Sequence, residues 1–355
     1  MKYTAPTGLF DIIPQDPNTP WKSSFIWQHV EEIIRKTTAS YGFQEIRTPI
    51  FERYELFSRG VGESSDIVSK EMYQFLDKGE RSMALRPEGT APVMRALVEN
   101  GMMNQASQHK LYYIAPMFRY DRPQAGRYRQ HHQFGVEAIG VAAPEQDAEI
   151  IDLLYTVYSR IGIGNLTVKL NSIGSSEERQ KFRTALLDYL KPHLEALSED
   201  SRKRFTLNPL RILDSKDETD RRIVASGPSI LDFLESESSD RFAAIQNLLR
   251  SLGIPFVIDP LLVRGLDYYN HCVFEITTET LGAQNSIGGG GRYDGLLEEI
   301  GGPKNVPCCG FGSGMERMIQ TAIGQSSKTL PLPRGPQLFI IPLGEKAKQY
   351  SFSLL

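Results

Sequence analysis

Apolar positions along the chain change their spacing several times, and each change marks an element. From about residue 20, Phe25, Val30, Ile33, Ile34 and Thr37 recur at helical spacing and predict a helix. Residues 43–51 then alternate like a strand that Pro49 stops; a proline cannot donate to a sheet ladder, so it suggests an edge or an interface. Strand patterns follow at 72–76, 83–85 and 111–119, with a helix at 91–100 between the last two. Another strand is expected at 134–141, a helix at 146–160 and a strand at 166–170. From 175 to about 252, charged amphipathic stretches such as 177–190 and 238–252 dominate, and a mostly helical insertion is expected. Strand patterns resume at 254–263, 272–278 and 285–288. Met315, Met318, Ile319, Ala322 and Ile323 then form the apolar stripe of a last helix before the chain's end region. Strands joined by hairpin-length loops and interrupted by one helical block predict an α+β fold. Its antiparallel β-sheet is flanked by helices and is not a doubly wound parallel sheet.

The two ends read differently. Residues 1–20 hold Pro6, Gly8, Pro14, Pro17 and Pro20 and predict an irregular lead-in. Residues 326–336, rich in Ser and Pro, read as a linker. A buried-looking strand starts at 337–342, and a helix is expected from Gly344. One strand and part of a helix cannot make a core. The expected organisation is therefore a first domain over 1–325 interrupted by the insertion at 175–252, then the linker, then the beginning of a truncated α/β domain over 337–355.

Composition narrows the class. The chain has 355 residues, 40% hydrophobic and 23% charged, which is ordinary for a soluble protein of two or three domains. A net charge of -3 excludes a nucleic-acid-binding polycation, so any contact with RNA must come from local basic clusters. Arg202, Lys203 and Arg204 are such a cluster, although a solvated helix surface explains them as well. The 3 cysteines, Cys272, Cys308 and Cys309, argue for a reducing compartment and do not suggest a zinc site. Without a signal-peptide pattern or an apolar run able to span a membrane, the expected location is cytoplasmic.

Five short constellations carry chemistry. Arg119, Arg122, Arg127 and Arg129 fall in one hairpin whose turn is marked by Pro123 and Gly126. Guanidinium forks suit phosphate oxygens, although a solvated basic loop reads the same way. On the strand that follows, a period of two puts Gln133, Gly135 and Glu137 on one face and Phe134, Val136 and Ala138 on the other. The first face suits a small-molecule pocket or a polar surface. Glu88 and Thr90 flank Gly89, where they can hold an ammonium group, or Thr90 can cap the helix that follows. Arg264 precedes Gly265-Leu266-Asp267-Tyr268-Tyr269 and is placed either to stabilise charge on a phosphate or to pair with Asp267. Gly288 to Gly291, followed by Arg292-Tyr293-Asp294, allow close approach to a ligand or form a flexible loop; without a Lys-Ser/Thr pair they are no P-loop. Finally, a glycine-rich stretch at 310–314 feeds a helix whose first turn carries Arg317, which can stack on a flat ring or reach phosphates; a tight strand-to-helix turn is the plainer alternative.

In this order the constellations resemble the class II aminoacyl-tRNA synthetases and, among them, the histidyl-tRNA synthetases. Residues 43–62 look like the family's first motif, a dimer interface. Residues 118–137 and 310–317 look like the second and third, and 262–269 and 286–294 are similar to the two signatures of the histidine enzymes. The resemblance implies L-histidine, ATP with Mg²⁺, and tRNA(His) as substrates and partners, a homodimer, and an anticodon-binding role for the domain begun at 337. It implies that Arg119 and Arg264 clamp the α-phosphate, with Arg264 as catalytic cation, and that Arg127 and Arg317 hold the outer phosphates. Glu88, Thr90 and Gln133 would bind the α-amino end of histidine. Glu137 and Tyr269 would read its imidazole, with Tyr293 lining the pocket. Two positions depart from the family pattern: Asp121 stands where a glutamate is usual, and His131 where a phenylalanine would stack on adenine. A paralogue that regulates ATP phosphoribosyltransferase without catalysis is the alternative, motivated by the short C-terminus; the full set of arginines speaks against it.

Overall fold

The structure is a computed structural model and describes residues 3–60, 62, 67–121, 127–279, 286–325, 335 and 338–354. The turn of the arginine hairpin at 122–126, and the linker apart from Gly335, lie outside these residues. The chain begins with helix α1 (Ser24–Ser40), strands β1 (Gln44–Glu45) and β2 (Phe51–Arg53), and helix α2 (Tyr54–Gly60). Strands β3 (Gln74–Leu76) and β4 (Ser82–Leu85), helix α3 (Thr90–Glu99) and the long hairpin β5 (His109–Phe118) and β6 (Gln130–Ile139) follow. After helix α4 (Pro144–Ile161) and strand β7 (Leu166–Ser172) come four helices: α5 (Ser176–Leu190), α6 (Glu199–Leu207), α7 (Glu218–Ala225) and α8 (Ser236–Ser251). Strands β8 (Phe256–Ile258), β9 (Asn270–Thr278) and β10 (Ser286–Arg292), helix α9 (Leu296–Glu299), strand β11 (Cys308–Gly314), and helices α10 (Met315–Gln325) and α11 (Glu345–Phe352) complete it.

Eight strands form one sheet in the order β1-β5-β6-β11-β10-β9-β7-β8. Its six central strands pair antiparallel, and only the short edge strands β1 and β8 run parallel to their neighbours. The expected α+β fold is therefore the one present. Each face of the sheet has its own core. Phe134, Val136, Ala138, Phe274, Ile276 and Phe311 pack on one side with apolar residues of α1, α4, α8 and α10. Leu111, Tyr113 and Val273 pack on the other with α3 and with Phe182, Leu186 and Val224 of the helical block. The period of two along β6 thus sends Phe134, Val136 and Ala138 into the first core, as read from the sequence, and leaves Gln133, Gly135 and Glu137 facing the second.

Several elements differ from expectation. The strand pattern at 43–51 is split: β1 joins the large sheet, whereas β2 joins β4 and β3 in a separate three-stranded sheet. Pro49 lies at the crossing. The buried Arg86 guanidinium secures that crossing by donating to the carbonyls of Thr48 at 2.8 Å and Pro116 at 2.9 Å. The glycines at 288–291 form a central strand, β10, rather than a flexible loop. Only 256–258 of the expected strand at 254–263 pairs. No strand forms at 338–342 among the described residues, and Leu338 and Phe339 are each 77% exposed; an apolar run without a sheet to join has no ladder to enter. The helix expected from 344 is present as α11. Lys203 pairs with Glu199 one turn away on exposed α6, the contact of a solvated helix face.

A buried ion-pair network ties the end of β10 to the start of α4. Arg292, 1% exposed, donates to Asp147 of α4, 2% exposed, at 2.8 Å, and to Asp294 at 3.1 Å; Arg241 of α8 shares Asp147. Removing one partner of a buried pair strands the other charge. Asp147→Ala is expected to lower unfolding free energy by about 3–5 kcal/mol in urea titration; a loss under about 1 kcal/mol would show the pair to be solvated.

Candidate active site

The polar face of β6 meets glycines. In the register of β6 with β11, Gln133 lies opposite Gly314, Gly135 opposite Gly312, and Glu137 opposite Gly310. A Cβ on Gly312 would sit 1.9 Å from the Gln133 amide nitrogen, and a Cβ on Gly135 would sit 2.3 Å from the Tyr113 ring. Glycine at these two positions lets the Gln133 amide and the Tyr113 phenol lie flat across the sheet. Gln133 Oε1 is buried and has no hydrogen-bond partner among the described residues.

Glu137 is fully buried in this floor. Its carboxylate accepts from Thr90 Oγ1 at 2.9 Å, from the Tyr293 hydroxyl, and from the Tyr113 hydroxyl at 3.4 Å. Burial lifts its pKa to about 8, with the neighbouring Glu88 charge adding to the rise and the hydroxyls of Tyr293 and Thr90 opposing it. Tyr293 stands in an aromatic group with Tyr268 and Tyr269, whose ring centroids lie 5.5 Å and 6.1 Å from its own.

Glu88 supplies the cap of α3. Its two oxygens accept from the backbone N–H of Thr90 at 2.7 Å and Ala91 at 2.9 Å. Thr90 was one candidate for that cap, but its hydroxyl is turned to Glu137 instead. Burial raises the Glu88 pKa, against the lowering by those two N–H groups. Two buried carboxyl groups thus lie close enough to interact, and burial disfavours the charged form of each.

A cavity of ≈420 Å³ is lined by Arg119, Asp121, Arg127, His131, Arg264 and Arg317, together with Glu71, Glu275 and Glu316; Glu88, Thr90, Gln133, Glu137, Tyr269 and Tyr293 do not line it. Six residues chosen from the sequence for phosphate and adenine chemistry therefore converge on one space. Arg119 is steadied by the carbonyl of Pro87 at 2.8 Å, and Arg317 by the carbonyl of Ser286 at 2.7 Å. Arg127 pairs with Asp121 at 3.2 Å across the two arms of the hairpin, which gives the shorter acid at 121 a partner. His131 is held neutral: burial and the adjacent Arg119 charge push its pKa down to about 3. Arg264 lies in the loop before β9 and pairs with Glu275; Asp267, the partner considered from the sequence, instead accepts from Asn208 at 2.7 Å.

Other side chains belong to the site without having been singled out. Glu275 is the carboxylate of β9, set between apolar Phe274 and Ile276, and that interruption is its sequence signal. Glu316 accepts from the His132 backbone at 2.8 Å and its ring at 2.9 Å, tying α10 to β6. The lead-in is structural too: Phe10 and Trp21 enclose Tyr128, with centroids 4.8 Å and 5.5 Å away, and Gly8 accepts from the Arg129 N–H at 2.9 Å. No sequence periodicity could show that contact. Among the described residues no group of three His, Cys, Asp or Glu side chains forms a metal cage.

The comparisons with known proteins agree with one another. A family model described as histidyl-tRNA synthetase matches residues 24–318. A histidine–tRNA ligase of Protochlamydia amoebophila is 62% identical over 354 residues, covering 100% of this chain and 83% of its own length. One from Bacillus subtilis is 48% identical, with 100% of this chain and 82% of its own length covered. The crystal structure of apo histidyl-tRNA synthetase from S. aureus superposes with a TM-score of 0.80 at 36% identity, over 99% of this chain and 82% of that one.

The raised Glu137 pKa sets the sign of a pH effect. Between its ordinary value of 4.5 and about 8, the folded chain holds a proton that the unfolded chain has lost, so this group's contribution to stability falls as pH rises through that window. The melting temperature of Glu137→Gln, followed without ligand from pH 5 to pH 8, is expected to fall less than that of the wild type. Parallel curves for the two proteins would contradict the assignment.

Proposed function

The chain belongs to the histidyl-tRNA synthetase family, and from that premise we propose in full how it works. It activates L-histidine with ATP to histidyl-adenylate and pyrophosphate, then transfers histidine to the 3′ end of tRNA(His). The observation that carries the assignment of roles is the convergence of Arg119, Asp121, Arg127, His131, Arg264 and Arg317 on one cavity, together with the buried pair Glu88 and Glu137 outside its lining.

In this reading the histidine carboxylate attacks the α-phosphorus of ATP. Arg119 and Arg264 face the charge that develops there, and Arg264 is the catalytic cation; charge stabilisation and positioning do the chemistry without a side-chain nucleophile. Arg127 and Arg317 hold the outer phosphates. Neutral His131 offers a flat ring to adenine without adding charge. Glu88, Thr90 and Gln133 take the α-ammonium group, which supplies the donor that Gln133 Oε1 lacks. Glu137 and Tyr269 read the two ring nitrogens, with Tyr293 fixing the carboxylate. Mg²⁺ fits as an ion carried by the phosphates, with Glu71 and Glu275 the carboxylates at hand, and it would neutralise charge on the departing pyrophosphate.

The wider organisation follows the same premise. Residues 1–325 form the catalytic domain, the block at 175–252 is its helical insertion (although α8 packs on α4 in the sheet core), and 326–336 link it to the beginning of an anticodon-binding domain at 337–355. Ile50, Phe51, Phe75 and Leu76 leave apolar surface exposed around the small sheet, which favours a homodimer contact there. No helix among the described residues is long and apolar enough to cross a membrane, and we assign the protein to the cytoplasm. The regulatory alternative is not favoured, because a non-catalytic subunit has no use for a complete set of phosphate-facing arginines.

Histidine-dependent exchange of pyrophosphate into ATP tests the assignment. Exchange should require histidine among the amino acids, and Arg264→Ala should slow it by about 10²–10³-fold, the worth of one preorganised charge. Exchange that ignores the amino acid supplied, or a variant within tenfold of wild type, would refute it.

A further inference from the structure

The segment 264–269 carries both Arg264 and Tyr269, yet it lies between β8 and β9 without entering any ladder. Its Tyr268 and Tyr269 pack into the core beside Tyr293, whereas Arg264, Leu266 and Asp267 border open space. Arg264 forms a wall of the phosphate cavity on one side and, on the other, of a second cavity of ≈210 Å³. That second space lies between the segment and the helical block, with Arg179, Asn208, Leu210 and Arg211 opposite Val263, Leu266, Asp267 and Tyr269.

What crosses this gap is a set of contacts from the helical block. Asn208 Nδ2 donates to Asp267 Oδ1 at 2.7 Å. Arg179 donates to the carbonyl of Tyr269. The Arg211 guanidinium lies 3.2 Å from where a Cβ on Gly265 would stand. Two positions of the segment, Asp267 and Tyr269, are thus held from the helical block, and Arg211 lies close to a third. Asn208 is well placed for this: it ends α6 and begins the next turn, and its backbone N–H is fixed by the carbonyl of Arg204 at 2.8 Å.

We propose that Asn208 is a positioning residue for adenylation: through Asp267 it ties the helical insertion to the loop that presents Arg264 and Tyr269, so the insertion's seating sets the catalytic cation. This rests on the histidine-activating reading above. Asn208 touches no reacting atom. Its effect is geometric, and a shift of about 1 Å in a catalytic group is enough to cost on the order of 10²-fold in rate.

A reversal of the hydrogen bond tests it, read by pyrophosphate exchange. Asn208→Asp sets two carboxylates against each other and should lower kcat by about tenfold or more. The KM for ATP should stay within about twofold, because Arg127 and Arg317 are held by other elements. Adding Asp267→Asn restores a donor facing an acceptor, and the double variant should return to within about threefold of wild type. Asn208→Ala, which adds no repulsion, should fall between. Should Asn208→Asp not fold, the alanine variant and the double variant carry the comparison. Wild-type kcat in the single variants, or a double variant no better than its worse parent, overturns the tether. A wild-type protein without histidine-dependent exchange overturns the functional reading and the tether with it, so the two failures are distinct.

Discussion

A carboxyl group sealed from water is costly to ionise, and Glu137 is such a group. Thr90, Tyr113 and Tyr293 reach it from α3, β5 and the turn after β10, so four parts of the fold converge on one side chain. The glycines opposite β6 follow from this constraint. So does the flat lie of Tyr113 over Gly135. Glu88, whose charge raises the Glu137 pKa further, is itself committed to the start of α3. In the proposed reading, an imidazole with an adjoining ammonium group supplies donors to these carboxyl groups.

The phosphate cavity depends on a second set of anchors, each made by a different element. Pro87 steadies Arg119, Ser286 steadies Arg317, Asp121 spans to Arg127, and Glu275 meets Arg264. Guanidinium groups pinned in this way lose little further freedom when they meet an anion, which is the physical content of preorganisation. The pinning residues come from distant points in the chain, so the site exists only once the sheet has closed.

That division explains what could be read from the sequence. The inward and outward faces of β6 and the helix stripes are local patterns, and they predicted the α+β fold; of the arginine cluster, Arg119 and Arg127 line the cavity. The glycines at 288–291 were ambiguous because close strand packing and loop flexibility select the same residue. Pro49 marked a break, but nothing local said that the chain passes to a second sheet there. Asp267, three residues away, was one of the two readings open for Arg264, whereas its ion-pair partner is Glu275 on the next strand; sequence spacing cannot rank a tertiary contact above a near neighbour. The apolar run at 338–341 resembles a strand, but a strand needs a ladder, and none forms there among the described residues.

Selection by Glu137 is the central claim, and binding of the free amino acid tests it most directly. Titration calorimetry should compare L-histidine with L-phenylalanine, whose ring is of similar size and has no nitrogen. A pocket whose buried groups need N–H partners should reject the analogue by about 10⁴-fold or more, because those groups would be left unpaired. Dissociation constants within about tenfold of each other would mean that shape alone governs the pocket, and the account built on the buried carboxylate would be wrong.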